Sequence, residues 1–153
     1  NLYAMGGDSI EVMAVAFPGF HDVYETSYGH IDDRDGATFD ETLAMAMASA
    51  SPLVQIATWN DHGEGTSIEP TVEFGYRYIE ALQDALGKRA YAAEDLRLPD
   101  QLYNLRTRVA RSPAFLGELE RASEGLFAGK LAHACRQLDY IVRQLARVDG
   151  TTI

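Results

Sequence analysis

The sequence has little cysteine and little positive charge. Cys135 is its one cysteine among 153 residues, which excludes an internal disulfide and a metal site built from several thiolates. Lysine and arginine number 13 against 23 acidic residues, a formal net charge of −10. That charge argues against nucleic acid or an anionic membrane as a partner, because both require a basic surface. No apolar run approaches the roughly 20 residues that a membrane-spanning helix needs.

Familiar cofactor motifs are also missing. The chain has no phosphate-binding Gly-Lys-Ser/Thr loop, no dinucleotide fingerprint and no His-Glu-x-x-His spacing. The acidic stretch at residues 31–36 fails the calcium-loop pattern at both ends, where Ile31 and Thr42 replace the required acids. A solvated turn is the better interpretation of that stretch. We therefore expect neither a metal nor a cofactor.

Two short apolar runs, residues 10–17 and 53–59, predict buried strands. Thr38 and Glu41 have the spacing of a capping box and predict a helix from there to about residue 50. Glu69-Pro70 predicts the start of another helix that ends near residue 86, with proline at its first position. Strands that alternate with helical crossovers are parallel, so residues 1–90 predict an α/β unit.

Residues 91–153 predict a helical C-terminal extension. Leu98-Pro99 and Ser112-Pro113 are typical helix starts, and Gly129 is a typical helix end. The last helix carries an apolar seam at residues 131–148, with apolar side chains spaced by three and four. We expect this seam to pack within the extension; the alternative is a surface for a partner.

Two parallel strands cannot form a stable sheet alone. The simplest hypothesis is that residues 1–90 are the C-terminal portion of a (β/α)8 barrel, its last two βα units, with the rest of the barrel upstream. In such barrels the catalytic groups lie on loops just after the strands. The loop at residues 58–70 has this position, and it contains Asp61 and Glu64.

Asp61 and Glu64 suit glycoside cleavage, which needs one protonated and one ionised carboxyl group. Gly63 and Gly65 flank Glu64 and permit sharp turns and close approach of a ligand to the backbone. The alternative is that both acids are solvated residues near a turn.

The string from Trp59 to Thr66, followed by Ile68-Glu69-Pro70, resembles a known motif. Glycoside hydrolase family 99, the endo-α-mannosidases and their bacterial relatives, reads Trp-Asn-Glu-x-x-Glu-Gly-Thr and then Ile-Glu-Pro. The string is also similar to family 71, the α-1,3-glucanases, with Trp-Asn-Asp-x-Gly-Glu. The resemblance implies a (β/α)8 barrel that cleaves α-linked glycans or polysaccharides without a cofactor, in the periplasm or outside the cell.

Carried over residue by residue, the resemblance implies that Glu64 is the general acid and that Asp61 is its partner carboxylate. In family 99 a glutamate partner deprotonates the sugar 2-hydroxyl, whereas in family 71 an aspartate serves an inverting reaction. Asp61 matches the aspartate of family 71, whereas the residues that follow it match family 99. The chain therefore combines both patterns, and both mechanisms stay open. A barrel that binds carbohydrate without cleaving it is the alternative function.

Five further side chains are candidates for contact with the substrate. Trp59, Asn60 and His62 lie on the loop of the two acids, while His21 and Asp22 follow the first strand and share its catalytic face. The alternative for Trp59 is a structural role as a core aromatic residue. The alternative for Asn60 is a hydrogen bond that holds the loop. We assign Glu69 to a helix terminus, because a carboxylate suits that position.

Overall fold

The computed structural model describes residues 12–24, 28–87, 92–110 and 112–148. Within these residues the chain is a mixed α/β protein with five α-helices and two small two-stranded sheets, and no closed barrel is present. It divides into two compact units, Asn1–Ala90 and Tyr91–Ile153. None of the described helices is both long and apolar enough to cross a membrane.

The first unit alternates strands and helices. In chain order it contains β1 (Ala14–Ala16), β2 (Phe20–His21), β3 (His30–Ile31), α1 (Ala37–Met47), β4 (Val54–Ile56) and α2 (Arg77–Ala85). β1 pairs with β4 in parallel, with Ala14 opposite Val54, whereas β2 and β3 form an antiparallel pair. The predicted parallel strands are thus confirmed, although each is shorter than predicted. Residues 10 and 11 of the first predicted strand lie outside the described residues.

The core of the first unit lies where α1 covers β1. Ala14 and Ala16 are fully buried, and their small side chains allow the helix to approach the strand closely. Phe39 and Leu43 of α1 fill the space above them. The Thr42 hydroxyl adds a polar link, since it donates to the Phe17 carbonyl oxygen at 2.9 Å and accepts from the Phe17 amide at 3.1 Å.

The predicted capping box of Thr38 and Glu41 is wrong. α1 begins at Ala37 after Gly36, whose φ of 93° favours glycine, so Thr38 already lies inside the first turn. Its hydroxyl donates to the Asp32 carbonyl oxygen at 2.6 Å. Arg34 binds both carboxylate oxygens of Glu41, and this contact lowers the pKa of Glu41. Glu41 therefore holds the preceding turn rather than the helix terminus.

The helix predicted to start at Pro70 begins at Arg77 instead, so that start is also wrong. Residues 71–75 form a tight turn in which Gly75 donates its amide to the Thr71 carbonyl oxygen at 2.9 Å. The Thr71 hydroxyl accepts the Phe74 amide at 3.1 Å. These local bonds satisfy backbone groups that a helix would otherwise use, which is why threonine competes with helix formation here.

Tyr78 anchors α2 to the core. Its ring is 2 % exposed and lies edge-on to Phe39, with centroids 5.4 Å apart. Its hydroxyl donates to Asp33 Oδ2 at 3.1 Å, and Arg77 approaches the same oxygen at 3.4 Å. Burial, and then the hydrogen bond to Asp33, raise the pKa of the Tyr78 phenol well above its usual value.

The second unit contains α3 (Leu98–Arg108), α4 (Leu116–Phe127) and α5 (Leu131–Val148). The helix start at Leu98 is as predicted, and α5 spans the predicted seam. Pro113 opens a 3₁₀ turn that leads into α4. Leu138 and Ile141 of the apolar seam are 1 % and 0 % exposed within this unit's core. The seam therefore packs within the extension, as expected.

Replacing Tyr78 by phenylalanine tests its anchoring role. Near pH 7 we expect Tyr78→Phe to lower the free energy of unfolding by about 1 kcal/mol, the usual net value of one hydrogen bond. Above about pH 10 the unfolded wild type releases the phenol proton while the folded state retains it. The wild type therefore loses stability with rising pH, and its advantage over the variant should shrink.

Urea unfolding of both proteins from about pH 7 to about pH 11 measures this difference. The matched control is Tyr28→Phe, because the Tyr28 side chain is 87 % exposed. A Tyr78→Phe stability curve that runs parallel to the wild-type curve across this range contradicts the proposed anchor.

Candidate functional site

The loop that follows β4 is closed on itself by two threonines. Thr58 donates its amide to the Thr66 carbonyl oxygen at 2.8 Å, and the two hydroxyls lie 3.0 Å apart. Ile68 then donates its amide to the Thr58 carbonyl oxygen at 3.0 Å. Thr66 and Ile68 are buried, so both arms of the loop are fixed at its base. Residues 59–65 consequently project as one compact turn.

Asp61 orders the turn that carries Glu64. Its amide donates to the Thr58 hydroxyl at 2.9 Å, and its carbonyl oxygen accepts the Thr66 amide at 3.2 Å. Asp61 Oδ1 accepts the Glu64 amide at 3.0 Å. The Glu64 residue is exposed, and no hydrogen bond or ion pair engages its carboxylate within the described residues. The two acids thus have different environments on the same turn.

The chain segment after β1 lies directly beside this turn. His21 donates its amide to the Glu64 carbonyl oxygen at 2.8 Å, and Val23 donates to the Gly63 carbonyl oxygen at 3.1 Å. Gly65, with a φ of 63°, allows this approach, because a Cβ there would lie 3.1 Å from the His21 nitrogen. Both loops follow the carboxyl ends of parallel strands, so they meet at the same edge of the sheet as expected.

Three candidate substrate-binding residues surround the acids on their own loop. Trp59 is 53 % exposed, and its carbonyl oxygen accepts the Ser67 hydroxyl at 3.0 Å and the Glu69 amide at 2.8 Å. A fixed backbone with an exposed ring favours a binding role over a core role. Asn60 is exposed, and its carbonyl oxygen accepts the His62 amide at 3.0 Å.

The segment after β1 supplies two more candidates with different environments. His21 is exposed, with its ring edge-on to His30 at a centroid distance of 5.2 Å. Asp22 is only 5 % exposed, and its two oxygens accept the amides of Tyr24 at 2.8 Å and Tyr28 at 3.3 Å. Asp22 therefore orders its loop. Its contact with substrate stays a prediction without support from these bonds.

Glu69 has a role that the sequence did not indicate. The predicted helix terminus is wrong for this residue, since α2 begins eight residues later at Arg77. Glu69 Oε2 instead lies 3.4 Å from His62 Nε2 across the loop. His62 and Glu69 are seven residues apart in the sequence, and the hydrogen bonds between Thr58 and Thr66 bring them together in space. Only the loop conformation reveals this contact.

Tyr24 also contributes to the site. A Cβ at Gly63 would lie 2.7 Å from the Tyr24 hydroxyl, so the glycine allows this phenol to approach the turn.

No group of three or more His, Cys, Asp or Glu side chains in the described stretches is arranged to hold a metal ion.

Comparison with known proteins gives no family assignment. No protein-family model matches the chain, and no similar protein was found among the curated proteins or the solved structures.

Two glycine variants test the contact between the loops. Gly65→Ala and Gly75→Ala both place alanine at a positive φ, 63° and 59°, which should cost about 1 kcal/mol in each case. A Cβ at Gly75 meets nothing within 4 Å, whereas one at Gly65 presses on the backbone of His21. We expect Gly65→Ala to cost about 1 kcal/mol more in chemical unfolding. Equal costs would mean that the two loops are not in contact.

Proposed function

We propose that this chain carries the carboxylate pair of a glycoside hydrolase that acts on α-linked glycans or polysaccharides. Glu64 is the general acid, and Asp61 is the ionised partner. The observation that carries the proposal is the contrast within Glu64 itself. Its amide and carbonyl are bound by Asp61 and His21, while its carboxylate is open to a ligand.

Fixed backbone geometry supports the acid role of Glu64. A general acid must lie within hydrogen-bond reach of the oxygen that it protonates, and small displacements cost large factors in rate. The amide bond to Asp61 and the carbonyl bond to His21 hold the main chain of Glu64 from both sides. Only the side-chain torsions remain to be set when substrate arrives.

Asp61 suits the partner role because it is partly buried and one of its oxygens is already used. Oδ1 accepts the Glu64 amide at 3.0 Å. The second oxygen, Oδ2, is left to accept a proton during the reaction. The same residue thereby links the position of the acid to the position of the base.

The reaction follows from these assignments. Glu64 donates its proton to the glycosidic oxygen as the bond from that oxygen to the anomeric carbon breaks. The anomeric carbon is attacked either by a water that gives its proton to Asp61 or by the sugar 2-hydroxyl deprotonated by Asp61. The first path inverts the anomeric centre in one step. The second forms an epoxide between O2 and the anomeric carbon. Water then opens it with net retention, giving its proton to Glu64 while O2 regains its proton from Asp61.

Aromatic and polar groups around the acids support a sugar as the ligand. The exposed Trp59 ring offers an apolar face on which a pyranose can stack, while Asn60, His62 and His21 offer hydrogen-bonding groups. Apolar surface beside a few polar groups is the usual lining of a small-ligand site.

The finer architecture that we propose is the last two βα units of a (β/α)8 barrel. β1 and β4 are parallel neighbours joined through α1, and both active loops follow their carboxyl ends. Among the described strands β4 pairs only with β1, which leaves its other edge open to a further strand. Upstream βα units would complete the barrel and the remaining walls of the site.

The acid role is tested by Glu64→Gln in the complete gene product. Glutamine keeps the size of the side chain but cannot donate an acidic proton, so turnover of an α-mannan or α-glucan should fall by about 10²-fold or more. An aryl glycoside with an acidic phenol as leaving group needs little protonation and should lose far less. Asp61→Asn should instead slow both substrates alike. Reducing-sugar release and phenol absorbance measure the two reactions.

The matched control is Glu73→Gln, which changes an exposed glutamate on the neighbouring turn and should leave both rates unaltered. Glu64→Gln activity within tenfold of the wild type on the glycan would show that the acid assignment is wrong. Tight binding of these glycans by a wild type that never cleaves them would favour the alternative, a carbohydrate-binding barrel. The anomer of the first product, read by NMR, separates inversion from retention.

A further inference from the structure

A groove runs between α3 and α4 in the helical unit. It encloses about 400 Å³, within the range of about 300–1,000 Å³ typical of small-molecule sites. Its floor is apolar: Leu102 is 6 % exposed, and Leu126 is partly buried. α3 supplies one wall and α4 the other, through residues spaced by three and four along each helix.

Two aromatic rings flank this groove without being covered. Tyr103 on α3 is 70 % exposed, and Phe127 at the end of α4 is 93 % exposed. A phenylalanine this exposed gains almost nothing from burial in the fold. Rings of this size on either side of an apolar floor provide contact area for a flat or linear apolar body.

Arg106 is the one charged residue among those that line the groove. It lies one turn beyond Tyr103 and Leu102 on α3 and is exposed. Among the described residues no carboxylate forms an ion pair with its guanidinium. The planar guanidinium matches a carboxylate with two parallel hydrogen bonds. Ser123 adds a hydroxyl from the opposite wall.

We propose that the groove binds a small amphipathic carboxylate. The carboxylate pairs with Arg106, and the apolar body lies on Leu102 between the rings of Tyr103 and Phe127. The groove's charge selects the ligand: a neutral molecule leaves Arg106 unused, and a cation is repelled. The chain as a whole carries −10, so general electrostatic attraction does not draw anions to it. Anion binding here must come from the local arginine, independently of the glycosidase proposal.

The test uses the 153-residue chain and three linear probes with similar alkyl chains and different head groups: decanoate, decanol and decyltrimethylammonium. Each competes with 8-anilinonaphthalene-1-sulfonate, an amphipathic anion whose fluorescence rises in apolar sites. We expect decanoate to bind at least about threefold more tightly than decanol, as an exposed charge pair allows, and the cation to bind most weakly. Added salt should reduce the preference for decanoate.

Three variants separate the charge from the apolar contacts. Arg106→Met keeps the apolar stem and should remove the preference for decanoate over decanol. Phe127→Ala should weaken decanoate and decanol by the same factor, since it removes only apolar area. Arg136→Met, at an exposed arginine of α5 outside the groove, is the control and should change neither affinity. Thermal melts check that each variant is folded.

Equal affinities of wild type for decanoate and decanol would overturn the proposal, as would equal effects of Arg106→Met and Arg136→Met. So would a groove occupied by a second copy of the chain. In that case size-exclusion chromatography would show a dimer that Phe127→Ala dissociates, and none of the three probes would displace the fluorophore.

Discussion

The parallel pairing of β1 with β4 is the constraint on which the first unit depends. Parallel strands end at the same edge, so their following loops start within reach of each other. Backbone hydrogen bonds from His21 and Val23 to the turn at Gly63 and Glu64 then extend the contact beyond the strands themselves. The position of the candidate acid is therefore set by main-chain bonds, together with one side-chain bond from Asp61 to the Glu64 amide.

The side chains that pack behind the strands must fit this strand pairing. Ala14 and Ala16 are small, so α1 approaches β1 closely, and Phe39 and Tyr78 fill the remaining volume. Tyr78 also links α2 to Asp33, which precedes α1. Both helices are thus fixed relative to the strands. The helices, rather than the loops, support the sheet edge from which the loops project.

The sequence patterns predicted those helices and strands that local interactions determine. Apolar periodicity found α3 to α5, and the apolar runs found both parallel strands. The wrong capping box at Thr38 and the wrong helix start at Pro70 share one cause. The threonine hydroxyls bind nearby backbone groups, Thr38 at Asp32 and Thr71 at Phe74. The contact between His62 and Glu69 depends on the closure at Thr58 and Thr66, so spacing alone could not predict it. The motif predicted the residues of the candidate site, and the backbone conformation determined their partners.

Carboxylates in this acidic chain divide according to what they bind, and this division bears on function. Asp22 and Glu41 have their oxygens engaged, by loop amides and by Arg34 respectively. Asp61 is intermediate, with one oxygen engaged by the Glu64 amide. Glu64 has a fixed main chain and an open carboxylate. An acid that stabilises the fold gains by using its oxygens, whereas an acid that serves a ligand must keep them available. Asp61 and Glu64 together meet both requirements on one turn, which is the physical reason for proposing this pair.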